Sequence, residues 1–232
     1  MPSEPRDTDT RRRVVDAAIA LLERAGRDAL TTRAVAVAAG LQPPAIYRLF
    51  GDKEGLLEAV AEHGFATFLA SKKVDPDPED PIQDLRDSWD LAVRFGLENP
   101  ALYSLMYGDV SRRDSPAFRT GLEILRGRVR RLAVAGLLRV SEPLAADVIH
   151  ATARGAVLTW LSMPESDRDP ALLGTLREAM VTAITTEEPA VRAAGPAGAA
   201  RALRARLPEQ TVLSGAEQQL LREWLDRLAE EG

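Results

Sequence analysis

The chain has 232 residues, of which 45% are hydrophobic and 28% charged, with a formal net charge of −5 and a pI of about 5.3. This is the composition of a globular protein that can bury a substantial core, in one domain or two. It contains no cysteine and only two histidines, His63 and His150, which excludes disulfides and thiol catalysis and argues against a metal site.

No apolar run reaches the roughly 18 residues that a membrane helix needs, and residues 1–10 lack the apolar core of a signal peptide. We therefore expect a cytoplasmic protein without a membrane partner. The sequence also shows no glycine-rich phosphate loop and no nucleophile paired with a base. We accordingly expect no enzymatic activity and no cofactor.

The acidic net charge would disfavour nucleic-acid binding if it were evenly spread. Residues 11–53, however, carry eight basic and four acidic side chains, a net charge of +4 that leaves −9 on the rest of the chain. A basic head on an acidic body suits a protein that reads DNA with one end, because the body is then repelled by phosphate. Chance clustering is the alternative explanation of the charge pattern alone.

Residues 1–9 are polar, include two prolines and show no periodicity, so we predict a disordered arm. Thr10 is placed to cap a first helix over residues 10–25. The arginines at positions 11–13 would then stand in its first turn, where the helix dipole favours acidic residues. Either a phosphate lies close to them in the complex with DNA, or they form a solvated cluster.

Two short helical patterns follow within residues 30–57 and meet at a glycine. Thr31 or Thr32 is a suitable N-cap for the first of them. Gly40 fits the left-handed residue that ends this helix, with Leu41 folding back onto the preceding turn.

The second short helix opens with prolines, which a first turn tolerates because its amides have no intrahelical partner. A third helix begins at Asp52-Lys53-Glu54. Helix, tight turn and second helix with an exposed face form a helix-turn-helix pattern. The spacing directs Ile46, Leu49 and Phe50 inwards and leaves Gln42, Pro43, Ala45, Tyr47 and Arg48 on or near the outer side.

At these residues the chain resembles the TetR family of one-component transcriptional regulators. Several fixed spacings of the family pattern agree at once, and with the preceding helix the match covers residues 11–60. The resemblance implies an all-α fold, with an N-terminal three-helix helix-turn-helix DNA-binding domain followed by a larger helical ligand-binding and dimerisation domain. The matching elements are Leu30-Thr31-Thr32, Val35-Ala36, Ala39-Gly40, Tyr47-Arg48-Leu49-Phe50 and Lys53-Glu54-Gly55-Leu56-Leu57.

The resemblance assigns phosphate contacts to three of these residues. Thr32 and Tyr47 are expected to donate their hydroxyls to phosphates. Lys53, at the start of the third helix, is expected to hold another phosphate through its charge and the exposed amides around it. The alternative for Tyr47 is an aromatic of the small domain's core.

The second helix is expected to enter the major groove and read base edges. Arg33 and Arg48 are each suited to a guanine or a phosphate, and Gln42 to an adenine. Because the next three residues have no side-chain donors, we expect few direct base contacts and some reliance on DNA shape. These three, Pro43, Pro44 and Ala45, offer only apolar contact, for instance to a thymine methyl.

The rest of the chain alternates helical stripes with proline-marked starts and shows no period-2 alternation, so we predict no sheet. A long helix is expected from Ala117 to Leu138, and residues 74–81 are expected to form a loop. We place the DNA-binding domain at residues 10–58, the ligand-binding and dimerisation domain at 59–186, and a linker with a helical extension at 187–232.

The resemblance implies a homodimer built by helices at about residues 142–163 and 169–186, and a small-molecule effector enclosed by the body. Packing in the chain's own core is the alternative for both sets of residues. His150 and Arg154, one turn apart, suit a carboxylate ligand or an ion pair with an acid such as Asp147. The candidate pocket residues are Trp89, Phe95, Tyr103, Met106, Tyr107, Phe118, His150, Arg154 and Trp160.

The extension begins with a linker at residues 187–198 and a short helix at 199–207. Ser214 and Glu217 form a capping box that starts a last helix. Its apolar stripe must pack on the body, on the partner subunit or on another protein; the stripe is Leu220, Leu221, Trp224, Leu225 and Leu228.

Together these patterns indicate a ligand-responsive transcriptional regulator, most often a repressor, that binds palindromic operator DNA as a dimer. The alternative is a helical adaptor or structural dimer that does not bind DNA and uses its C-terminal helix for docking.

Overall fold

The computed structural model describes residues 4–72, 78–107, 116–186, 195–209 and 212–230. Within these ranges the chain is helical without strands, apart from an isolated bridge between Leu138 and Thr185, and the expected all-α fold is confirmed. None of these helices is long and apolar enough to cross a membrane. They are α1 (Glu4–Ala25), α2 (Thr32–Ala38), α3 (Pro43–Phe50), α4 (Lys53–Ser71), α5 (Pro81–Glu98), α6 (Pro100–Tyr107), α7 (Pro116–Val134), α8 (Glu142–Ser162), α9 (Ala171–Ile184), α10 (Gly195–Arg206) and α11 (Gly215–Glu230).

The chain divides into two compact units. Unit 1 comprises residues 1–73 and 92–121, and unit 2 comprises residues 74–91 and 122–232. The helix-turn-helix therefore lies in unit 1, and the C-terminal extension lies in unit 2.

Unit 1 is organised by α1 and α4, against which the shorter helices α2, α3 and α6 pack. Leu22 on α1 and Leu56 on α4 are completely buried in this core. Helices α4 and α6 come together at Gly64, where a β-carbon would lie 2.7 Å from the sulfur of Met106. A side chain at position 64 would therefore have to displace the side chains of Met106 and Leu102 on α6.

Unit 2 contains a buried arginine that is held by a carboxylate. Arg128 on α7 is 4% exposed and donates from Nε to Asp84 at 3.0 Å, and Arg131 reaches the same oxygen at 3.3 Å. One acid on α5 is therefore shared by two guanidinium groups on α7, and removing it would take away a carboxylate that stabilises the buried charge of Arg128.

A second ion-pair network joins α5 to α9. Glu178 accepts from Arg86 at 3.1 Å and from Arg177 at 2.8 Å, while Arg177 also reaches Asp90 at 2.5 Å. The hydrogen bond from Arg86, and to a smaller extent that from Arg177, holds the pKa of Glu178 below its ordinary value. The carboxylate is half exposed, so the network contributes modestly to stability.

The first helix begins earlier than the sequence predicts. It starts at Glu4 instead of after Thr10, and Pro5 is compatible with a first helical turn. The arginines at positions 11–13 consequently lie two turns into α1, and their predicted place in its first turn was wrong.

Two other helix boundaries differ from expectation. Helix α7 ends at Val134 and not at Leu138, because Gly136 adopts a left-handed φ of 72° and the Leu137 amide donates back to Leu132 O at 2.8 Å. Helix α10 begins at Gly195, since Pro196 is tolerated in its first turn and the following alanines favour helix. The predicted loop and linker fall partly on residues 74–77 and 187–194, which lie outside the described residues.

The predicted capping box of the last helix is confirmed. Glu217 accepts hydrogen bonds from the amide and the hydroxyl of Ser214, at 2.8 and 2.7 Å. The stripe that follows is only partly covered in unit 2. Leu225 is 4% exposed, but Leu220, Trp224 and Leu228 remain about half exposed.

Candidate nucleic-acid interface

The turn between α2 and α3 is fixed by hydrogen bonds at its start and end. The Thr31 hydroxyl caps α2 by accepting from the Ala34 amide at 3.1 Å. Gly40 has a φ of 69°, and the Leu41 amide donates to the Ala36 carbonyl at 2.8 Å, as the sequence predicts. These bonds set the direction in which the chain enters α3.

Helix α3 has one buried and one open face. Pro43 and Pro44 occupy its first turn after the N-cap residue Gln42, and Ile46 and Phe50 are buried against unit 1. The residues predicted for the outer face are exposed or partly exposed. Leu49, which is predicted to point inwards, is only partly buried. Gln42, Pro44, Tyr47 and Arg48 are exposed, and Pro43 and Ala45 are partly exposed.

The two hydroxyls that the family resemblance assigns to phosphates lie side by side. The Thr32 and Tyr47 oxygens are 3.3 Å apart and share a hydrogen bond between α2 and α3. Tyr47 is 53% exposed, which contradicts the alternative that it is a core aromatic. A phosphate oxygen approaching this pair could accept from either hydroxyl.

Lys53 lies exposed at the first position of α4. Asp52 caps this helix by accepting from the Gly55 amide at 2.8 Å. A β-carbon on Gly55 would lie 2.0 Å from the carbonyl oxygen of Phe50, so a glycine is required here. The sequence motif treats position 55 as variable, but in this chain its glycine allows α4 to start against the end of α3.

Arg11 performs a role that the sequence does not indicate. Its Nη1 donates to the carbonyl oxygen of Leu49 at 2.7 Å, and its guanidinium carbon lies 4.5 Å from the centre of the Phe50 ring. Arg11 thus ties α1 to the last turn of α3, where a cation also complements the helix dipole. Its neighbours Arg12 and Arg13 are exposed.

The remaining predicted DNA residues form a basic, open surface. Arg33 and Arg48 are exposed on α2 and α3, as is Lys53 on α4. Val37, which the sequence pattern does not single out, is 72% exposed on α2. The surface therefore offers cations for phosphate or guanine and apolar groups for contact with base edges.

Residues 14–60 match the family model of bacterial regulatory proteins of the tetR family. The resemblance to the TetR family is confirmed. The matched segment contains every DNA-contact residue expected from the sequence. No curated protein matches the chain in sequence.

Several solved structures share this fold, and one of them is a TetR-family transcriptional regulator. SmeT, the repressor of the Stenotrophomonas maltophilia multidrug efflux pump SmeDEF, is 23% identical with a TM-score of 0.61, over 78% of this chain and 96% of its own. A TetR-family transcriptional regulator from Haemophilus influenzae (HI0893) is 22% identical with a TM-score of 0.56, over 79% and 100%. A Rhodococcus sp. RHA1 protein of unknown function is 22% identical with a TM-score of 0.63, over 76% and 96%. At these identities the likeness shows a shared fold.

Five of the nine TetR-type pocket candidates lie in unit 1. Phe95, Tyr103, Met106 and Phe118 are buried there, and Tyr107 is partly buried. Phe65, which was not a candidate, joins them through edge contacts with Tyr107 at 5.4 Å and Phe118 at 5.2 Å. These rings form an aromatic cluster in the core of unit 1.

The other four candidates lie in unit 2. Trp89 is 2% exposed and its indole nitrogen is buried without a hydrogen-bond partner among the described residues. His150, Arg154 and Trp160 are partly buried on α8, with Arg168 lying 6.0 Å from the centre of the Trp160 ring. His150 and Arg154 both interact with groups of the protein itself, so both explanations of this pair stay open.

Proposed function

We propose that this protein is a one-component transcriptional regulator of the TetR type that represses its target genes by binding operator DNA. The observation that carries the proposal is the open face of the helix-turn-helix. It presents the Thr32–Tyr47 hydroxyl pair at 3.3 Å together with exposed Arg33, Arg48 and Lys53.

The role of each residue of this face in DNA binding follows from the chemistry of its side chain. Thr32, Tyr47 and Lys53 hold phosphates and set the register of α3 in the major groove. Gln42 reads a base edge, while Arg33 and Arg48 each contact a guanine or a phosphate. Pro43, Pro44 and Ala45 add apolar contacts, so DNA shape supplies part of the specificity.

A dimer is supported by the outer sides of α8 and α9. Ala151, Gly155 and Thr159 are exposed at intervals of four residues along α8, and a β-carbon on Gly155 would meet no atom within 4 Å. Exposed small residues at the same spacing line α9, namely Thr175, Ala179 and Ala183. Two copies of such a surface can pack closely into a four-helix interface.

Dimerisation places two DNA-binding domains on a palindromic operator whose half-sites are about 34–36 Å apart. We assign DNA binding to residues 10–58, effector binding and dimerisation to residues 59–186, and an extension to residues 187–232. The effector is a small molecule, and the buried aromatic residues of the body are its candidate contacts. We propose that this regulator has no enzymatic activity and acts in the cytoplasm.

The direct test is a gel-shift titration of the full chain on DNA from upstream of its own gene. A cooperative shift by a dimer, lost on adding excess operator but not on adding unrelated DNA, is expected. Arg48→Ala should relax sequence preference if Arg48 reads a base, whereas exposed Arg227→Ala on α11 is the matched control and should leave the shift unchanged. A chain that dimerises but shifts no DNA would favour the adaptor function, with α11 as its docking helix.

A further inference from the structure

Unit 2 contains a cavity of about 480 Å³ where the C-terminal extension meets the segment between α7 and α8. This volume lies within the range of small-molecule sites. Its lining includes residues 138–144 on one side and parts of α10 and α11 on the other. None of the nine pocket candidates from the sequence is among its lining residues.

The cavity carries an excess of positive charge. Arg204 pairs with Asp226 and lies 3.6 Å from Glu142, which also pairs with Arg130 at 3.3 Å. Arg130 lies outside the lining, and together with Arg204 it balances the two lining acids. The remaining lining cations, Arg139 and Arg201, are unmatched by carboxylates within the described residues.

These two remaining arginines differ in their surroundings. Arg201 donates from Nη2 to the carbonyl oxygen of Ala229 at 2.7 Å, in the last turn of α11. Arg139 is exposed, and no ion pair or side-chain hydrogen bond of its guanidinium is found within the described part of the chain. Arg139 is thus available to an incoming anion.

The other lining groups indicate which further chemical groups the cavity can accommodate. Ala133 and Leu138 form a buried apolar floor, and Leu144 adds an apolar side chain that is 51% exposed. Ser141, the N-cap residue of α8, makes no capping hydrogen bond with its side chain. Anionic and apolar recognition are therefore combined in one cavity.

We infer that this cavity binds a small amphipathic anion, with a carboxylate on Arg139 and a short hydrocarbon tail on the apolar floor. Because its walls come from both the extension and the start of α8, the bound ligand would hold the extension against that helix. The site is additional to the effector pocket of the proposed function and does not depend on DNA binding.

The test is isothermal titration of the full-length protein with octanoate. Acetate, which lacks the tail, and 1-octanol, which lacks the charge, are the matched probes. Octanoate is expected to bind at least about tenfold more tightly than either probe. Arg139→Gln should weaken octanoate binding by about tenfold or more. Arg227→Gln, an exposed arginine on α11 outside the cavity, should bind octanoate like the unchanged protein.

Four results would overturn the inference: no octanoate binding, acetate binding as tightly as octanoate, 1-octanol binding as tightly as octanoate, or unchanged octanoate binding by Arg139→Gln. The last would place the ligand elsewhere in the protein. Since no DNA is present, each of these results leaves the gel-shift test of the proposed function unaffected.

Discussion

Replacing Arg11 by alanine should loosen α3 without touching its open face, which we propose contacts DNA. The change removes the 2.7 Å hydrogen bond to Leu49 O and the cation–π contact with Phe50. A charged hydrogen bond contributes about 1.5 kcal/mol at the lower end of its range, and an exposed cation–π contact about 0.5 kcal/mol. Because Arg11 is exposed, we expect a combined destabilisation of about 1–2 kcal/mol.

Amide hydrogen exchange resolves this destabilisation locally. The Gly51 amide donates to Tyr47 O at 2.9 Å and reports on the end of α3. If this end opens independently of the rest of the protein, the amide should exchange about 5- to 30-fold faster in Arg11→Ala than in the unchanged protein. Arg12→Ala is the matched control, because Arg12 is the next residue of α1 and is exposed. Equal exchange rates in the two variants would refute the bracing role of Arg11.

Three further predictions concern stability. Asp84→Ala should lower the free energy of unfolding by about 3–5 kcal/mol in denaturant titrations, since buried Arg128 loses its counter-ion; a decrease below about 1 kcal/mol would contradict this. Glu178 has a depressed pKa in the folded state, so its stabilisation is fully present above the ordinary pKa of a glutamate and is lost as pH falls through the depressed pKa. The stability difference between the unchanged protein and Glu178→Gln, up to about 1 kcal/mol at neutral pH, should therefore shrink on acidification, and a difference that stays constant with pH would refute it. Gly55→Ala should displace α4 from α3 and reduce thermal stability, unlike Gly121→Ala, whose β-carbon would meet Leu69 at an ordinary 3.5 Å; equal melting temperatures would contradict the clash.

Local rules were sufficient to predict the helix-turn-helix from the sequence. The Thr31 cap, the left-handed Gly40 and the prolines of α3 each depend on neighbouring residues alone, and all three lie where expected. The exposed face of α3 followed from periodicity. The contact of Arg11 with Leu49 joins residues 38 positions apart, so no local pattern could indicate it.

The wrongly predicted helix boundaries have other causes. The start of α1 was missed because a polar segment without periodicity carries no packing signal, although Glu4 and Pro5 are compatible with a helix start. Gly136 is a readable stop signal for α7, and it outweighs the apolar residues that follow it. The burial of the apolar pocket candidates could be predicted from their spacing. Whether they contact a ligand could not, because apolar residues of a core and of a ligand site follow the same spacing.

The salt dependence of operator binding tests the central claim most directly. Fluorescence anisotropy with labelled operator DNA should give an association constant that falls steeply with salt concentration in a double-logarithmic plot. If Lys53 holds one phosphate in each head, Lys53→Ala should bind more weakly and reduce the magnitude of that slope by about one for each phosphate that the variant no longer neutralises. An unchanged affinity and slope in Lys53→Ala would contradict the phosphate contact, and the absence of any salt-dependent binding by the unchanged protein would contradict the proposed function.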